Sequence, residues 1–207
     1  LTRRRGASLP AVSSPAADRD SEPRAASSAV ADGAPEHALD WDTYFMSLAY
    51  LVAMKSKDPR TKVGAVIVGP DNEIRTTGYN SFPRGMQDDV PERQVSPAKH
   101  LFFEHAERNA IYNAARMGTS LKGCRIYLPF MPCSDCARGI VQAGLAEVVL
   151  HREHPGNDGG RFGAEHHHAA SRAILDEGGV EVRLWSGDIP RLAARFDDEP
   201  VEIHGAG

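Results

Sequence analysis

The period of the apolar positions changes along the chain, and each change marks an element. After Asp40, the residues Trp41, Phe45, Leu48 and Val52 recur at helical spacing, which predicts a helix with Asp40 as its N-cap. Val63–Val68 and Ile74–Tyr79 are short β-prone runs, and the cluster Gly69, Pro70, Asp71, Asn72 between them predicts a hairpin. From Pro83 to about Phe102 the pattern is lost among charges and the prolines 83, 91 and 97, so this tract is expected to be a long, substrate-facing loop with at most short helical pieces. Beyond it the two periods alternate. Helices are expected at about Glu104–Met117, Ser134–Ala143 and Ala169–Glu177, and strands at Arg125–Leu128, Glu147–Leu150 and Val180–Trp185. Such alternation predicts parallel neighbouring strands in one sheet with helices on both faces.

Residues 1–36 break from this picture. They are dominated by Ala, Ser, Pro, Arg and Asp and have almost nothing large and apolar to bury, so they cannot offset their own ordering entropy. Arg3, Arg4 and Arg5 with nearby serines hint at a transit peptide, which Asp18, Asp20 and Glu22 argue against. The expected organisation is a flexible extension over 1–36, one domain over 37–187 and a tail over 188–207. With 41% hydrophobic and 25% charged residues, the domain has apolar material enough for a core. A formal charge of −4 offers no general attraction to a phosphate backbone, so a small molecule is expected as partner rather than polymeric nucleic acid. No apolar run reaches the roughly 18–20 residues needed to span a bilayer, and no secretory signal is seen. The expectation is a cytoplasmic protein without a membrane partner. Its three cysteines cannot form a disulfide framework, and a Cys-x-x-Cys pair in a reducing compartment more often serves metal or redox chemistry.

The chemistry concentrates in His105-Ala106-Glu107 and, one strand later, Pro132-Cys133-Ser134-Asp135-Cys136. Either alone is weak: His-x-Glu is common on helices, and Cys-x-x-Cys also serves thiol–disulfide exchange. In this order they match the zinc deaminase signature. Cys133 and Cys136, three apart at a helix start, turn their sulfurs to one side of the first turn. His105 and Glu107 would diverge by about 200° inside a helix, so they are expected in an opening turn, the imidazole on the metal and the carboxylate beside it. Helix N-termini favour thiolate over thiol. Three protein ligands on a tetrahedral Zn²⁺ leave a fourth position for water, the pattern of a catalytic site. Glu107 is then the expected catalytic residue, moving a proton from water to a ring nitrogen and later to the departing amine. A redox site would need neither His105 nor Glu107. Cys124 reads as a small buried hydrophobe. His166, His167 and His168 project in different directions on a helix, so a solvent-facing role is expected above a second metal site.

These residues resemble the deoxycytidylate deaminases of the cytidine deaminase superfamily. The resemblance runs from Trp41 to about Leu184 and includes Ser56-Lys57-Asp58-Pro59-Arg60-Thr61-Lys62-Val63-Gly64, Gly78-Tyr79-Asn80-Ser81-Phe82-Pro83-Arg84-Gly85, His105–Ile111 and Pro132–Ala137. It implies an α/β fold, a three-layer αβα sandwich around a five-stranded mixed sheet, and a homo-oligomer. It also implies that Asn80 bonds the sugar and that Ser56, Lys57, Asp58 and Arg60 lie on the substrate's phosphate side, although solvated loop charges are the plain alternative reading of the same residues. Two positions depart from the family. Ser81 stands where Gly is common, which leaves effector control open, and no Tyr appears in His151–Gly163, where Arg152 or Arg161 offers charge and His154 or Phe162 a ring. The expected reaction is hydrolytic deamination of dCMP or a close pyrimidine nucleotide. Deamination of another heterocycle, and a silent nucleotide-binding subunit, stay open as alternatives.

Overall fold

The computed structural model describes residues 38–157, 165–191, 194–196 and 199–201, so the N-terminal extension, Arg161 and Phe162 lie outside the described residues. In chain order the elements are α1 (Trp41–Ala53), β1 (Gly64–Val68), β2 (Ile74–Tyr79), α2 (Lys99–Phe102), α3 (Ala106–Met117), β3 (Arg125–Leu128), α4 (Ser134–Gln142), β4 (Glu147–His151), α5 (Glu165–Glu177), β5 (Glu181–Trp185), β6 (Ala194–Phe196) and β7 (Glu199–Val201). The first five strands form one mixed sheet in the order β2-β1-β3-β4-β5. β1 runs antiparallel to both β2 and β3, whereas β3, β4 and β5 are parallel. The predicted hairpin and the predicted parallel half are both present. The stretch expected as a C-terminal tail carries a separate ladder, β6 against β7, too short for its pattern to stand out in the sequence.

Period-two alternation divides the core into two layers. Ala65 and Ile67 of β1, Ile126 and Leu128 of β3, and Val148 and Leu150 of β4 pack with Ala106, Ala110, Ala137, Ile140 and Leu175, from α3, α4 and α5. The intervening Val66, Val68, Tyr127 and Val149 meet Phe45, Met46 and Ala49 of α1 on the opposite face. The result is the expected αβα sandwich. α1 starts where predicted, because Asp40 Oδ1 accepts the Thr43 N–H at 2.9 Å and so occupies a first-turn donor.

The placement of α3 matters most for function. Gly78 of β2 makes it possible, since an added Cβ would lie 2.3 Å from both Ala106 O and Ala110 N. Side chains then stitch the helix to the strand: Asn109 Nδ2 donates to Tyr79 O at 2.8 Å and Asn113 Nδ2 to Thr77 O at 2.7 Å. Glu104, expected as the first helical residue, instead pairs with Ser81 as an isolated antiparallel bridge. Its N–H donates to Ser81 O at 2.8 Å, which holds the backbone extended until His105 and delays the helix. The proline-rich tract contains a 3₁₀ turn at Pro91–Arg93 and the single turn α2. α5 starts at Glu165, four residues before the predicted Ala169, and includes His166–His168. Its packing against α4 supplies stability that the local sequence does not advertise.

Candidate metal centre and active site

Two helix starts meet beyond the sheet. His105 is the N-cap residue of α3 with extended backbone (φ −78°, ψ 157°), and Cys133 is the N-cap residue of α4 (φ −70°, ψ 167°). Cys136 lies in the first turn of α4, buried, and Glu107 in the first turn of α3, 6% exposed. His105 Nδ1 is 3.5 Å from the sulfur of Cys133 and 3.5 Å from that of Cys136. All three ligand atoms fall within 4.8 Å of one another, and among the described residues they are the one group so placed. A tetrahedral zinc with bonds of about 2.0–2.3 Å needs donor atoms roughly 3.5–3.8 Å apart. The three side chains therefore fit zinc in type and in spacing.

The electrostatics agree with that fit. A hydrogen bond from Cys136, together with His105 and the backbone N–H of Cys136, outweighs burial and brings the Cys133 thiol down to about 3. The same hydrogen bond and burial push Cys136 up, because a second bare thiolate beside the first is unfavourable. A divalent cation removes that conflict. Burial pushes the Glu107 carboxyl above the ordinary carboxylate range, against the pull of His105. Arg108, which the motif does not single out, completes the surroundings: its Nε donates to Glu104 Oε1 at 2.7 Å and its Nη1 reaches the Cys136 sulfur at 3.8 Å. The only sequence signal for it is an i, i+4 charge pair.

A cavity of about 340 Å³ opens on this centre. Its wall includes His105, Glu107, Cys133, Asn80 and Asp58 from the predicted set, joined by Thr61, Val63, Lys99, His100, Phe103, Phe130, Met131 and His168. Asn80 has its amide fixed. Nδ2 donates to Asp58 Oδ2 at 3.1 Å and to Thr61 O at 2.9 Å, while Oδ1 accepts Val63 N–H at 2.8 Å. Ser56 and Asp58 are buried and organise the loop: the Ser56 hydroxyl donates to Asn80 O at 2.8 Å, and Asp58 Oδ1 accepts the Arg60 and Thr61 N–H groups at 2.9 and 3.2 Å. Lys57 and Arg60 are exposed and stand apart. Lys57 pairs with Asp88 at 2.6 Å and lines a second cavity of about 260 Å³ with Lys55 and Arg84, whereas Arg60 lines neither.

In the altered loop, Arg152 Nε donates to Ser186 Oγ at 2.9 Å, and the His154 ring stacks on Phe130 at 4.9 Å between centroids. The loop thus bears on the cavity through Phe130. His168 reaches the cavity from α5, and the side chains of His166 and His167 lie outside the described residues.

One imidazole and two cysteine sulfurs at paired helix starts, with a buried glutamate beside them on an αβα core, define the class: a zinc-dependent hydrolytic deaminase. The chain belongs to the cytidine and deoxycytidylate deaminase family, whose profile, described as the cytidine and deoxycytidylate deaminase zinc-binding region, matches residues 39–152. It is 36% identical to human deoxycytidylate deaminase over 164 residues, covering 77% of this chain and 87% of that one. The probable deoxycytidylate deaminase of Drosophila melanogaster is likewise 36% identical, over 174 residues, with 79% and 81% covered. Among solved structures, the dCMP deaminase of cyanophage S-TIM5, crystallised with dCMP and dUMP, superposes with a TM-score of 0.55 at 28% identity, covering 69% of this chain and 94% of that one.

Proposed function

We propose that this protein converts dCMP and water to dUMP and ammonia. The observation that carries this reading is the convergence of His105, Cys133 and Cys136 beside the buried Glu107 on a cavity edged by Asn80. The similarity to deoxycytidylate deaminases supports the choice of substrate. His105, Cys133 and Cys136 would hold zinc, which would supply a Lewis acid for turning water into the nucleophile. Glu107 takes a proton from that water and delivers it to N3 of the cytosine ring as the new C–O bond forms at C4. It then passes the water's second proton to the amino group, and the C4–N bond breaks to leave uracil and ammonia. Asn80 has both Nδ2 hydrogens committed and one Oδ1 lone pair taken by the Val63 N–H, so its second Oδ1 lone pair is the acceptor that selects a hydroxyl donor on the sugar.

A homo-oligomeric state and a cytoplasmic location belong to the same reading. No helix among the described residues is long and apolar enough to cross a membrane. Light scattering on the purified protein checks the assembly. The test of the reaction is ammonia release across dCMP, CMP, deoxycytidine, cytosine, guanine and adenine derivatives. Preference for dCMP is expected, and turnover of a different ring with none of dCMP would replace the substrate while leaving the chemistry. The reading that favours another heterocycle draws on the His154–Phe130 stack, which occupies the loop where the family often has Tyr.

A further inference from the structure

A nucleotide phosphate held near this metal centre is bound most strongly by a fixed cation in the cavity wall. The sequence offers Lys57 and Arg60, but Lys57 is turned to Asp88 in another cavity, and Arg60 lines neither. Among the described residues, Lys99 is the one lysine or arginine that lines the metal-centre cavity. It is also held in place. Its ammonium pairs with Asp58 Oδ2 and sits 5.3 Å from the Phe103 ring centroid. The pair is asymmetric: the Asp58 side chain is 1% exposed, with both oxygens taken by protein donors, whereas the Lys99 side chain is 15% exposed. A ligand in the cavity therefore meets a carboxylate whose two oxygens are already engaged and a cation with donors to spare. An ammonium has three donors, and Asp58 takes one. His100, the next residue on α2, lines the same cavity and adds a further polar group.

We propose that Lys99 is a specificity-determining residue that binds the 5′-phosphate of the substrate, and that Asp58 is its positioning residue. This inference rests on the dCMP reading and deepens it. Asp58 thereby links two acts of recognition, because the same Oδ2 that pairs with Lys99 also accepts from Asn80. The sequence expectation for the phosphate side shifts from Lys57 and Arg60 to a lysine roughly forty residues further on, brought in by the proline-rich tract.

The test compares dCMP with deoxycytidine, which differ only in the phosphate, in wild-type protein and in Lys99→Met and Lys57→Met. Lys99→Met is expected to raise KM for dCMP at least tenfold with kcat within about threefold, and to leave kcat/KM for deoxycytidine within twofold. Lys57→Met is expected to change neither substrate by more than twofold. Equal losses on both substrates, or no loss on dCMP, would overturn the assignment to Lys99. Wild-type protein that uses deoxycytidine as well as dCMP would instead overturn the phosphate reading itself. Since removing the lysine strands a buried carboxylate, zinc content and thermal unfolding establish whether Lys99→Met folds. If it does not, Lys99→Arg, which keeps the pair, decides. A KM increase of at least threefold confined to dCMP supports the proposal, and parallel behaviour on the two substrates refutes it.

Discussion

At the scale of single residues, the proposed roles separate metal holding from proton transfer. Glu107 is a neighbour of the tripod and not part of it, so Glu107→Gln is expected to retain one zinc per chain while kcat falls by about 10²–10⁴; metal analysis beside the ammonia assay checks this, and loss of zinc would make the residue structural. Asp58 is the second telling residue. Burial works against its charge, yet Lys99 and the N–H groups of Arg60 and Thr61 hold its carboxyl below the ordinary value. A depressed carboxylate stabilises the fold above its unfolded value, about 3.9, and that contribution is lost as pH falls through the folded value. Asp58→Asn should therefore cost about 3 kcal/mol at pH 7, with the difference from wild type shrinking as urea unfolding is repeated toward pH 3. The motif residues were legible in the sequence because type and spacing alone specify them. Lys99, Phe130 and His168 were not, since a lysine in a charged loop or a histidine in a run of three carries no signal until the chain folds.

Among the elements, α3 and its seat on β2 decide whether the ligands meet. Gly78 is where helix and strand come closest, so a side chain there must displace backbone. Gly78→Ala is expected to destabilise the protein by about 1–3 kcal/mol and to weaken zinc retention against a chelator, because His105 begins the helix that moves. Unchanged retention together with lost stability would separate packing from metal placement. The sequence predicted this helix and strand from their periods, but not that Ser81 and Glu104 form the bridge that sets where the helix begins. That bridge joins residues far apart in the chain, and neither residue carries a mark of pairing. The early start of α5 has the same character. α5 as a whole packs against α4, a contact the local sequence does not show.

Across the whole molecule, a zinc held by His105, Cys133 and Cys136 would join the starts of α3 and α4, which otherwise meet through side-chain packing on one face of the sheet. Removing zinc is expected to abolish turnover and lower the unfolding temperature by several degrees, with both restored by adding one equivalent; differential scanning calorimetry of stripped and reloaded protein checks this, and stability untouched by stripping would show that the sheet alone holds the two helix ends. The sequence by itself determined the succession of the sheet's five strands and the four longer helices along the chain, the two faces of the sheet and the zinc chemistry, because periodicity and ligand spacing are local properties. Tertiary structure decided which polar groups share the cavity with that chemistry. Asp58, Asn80 and Lys99 come from three separate segments, and only the packed fold places one buried carboxylate between an amide and an ammonium.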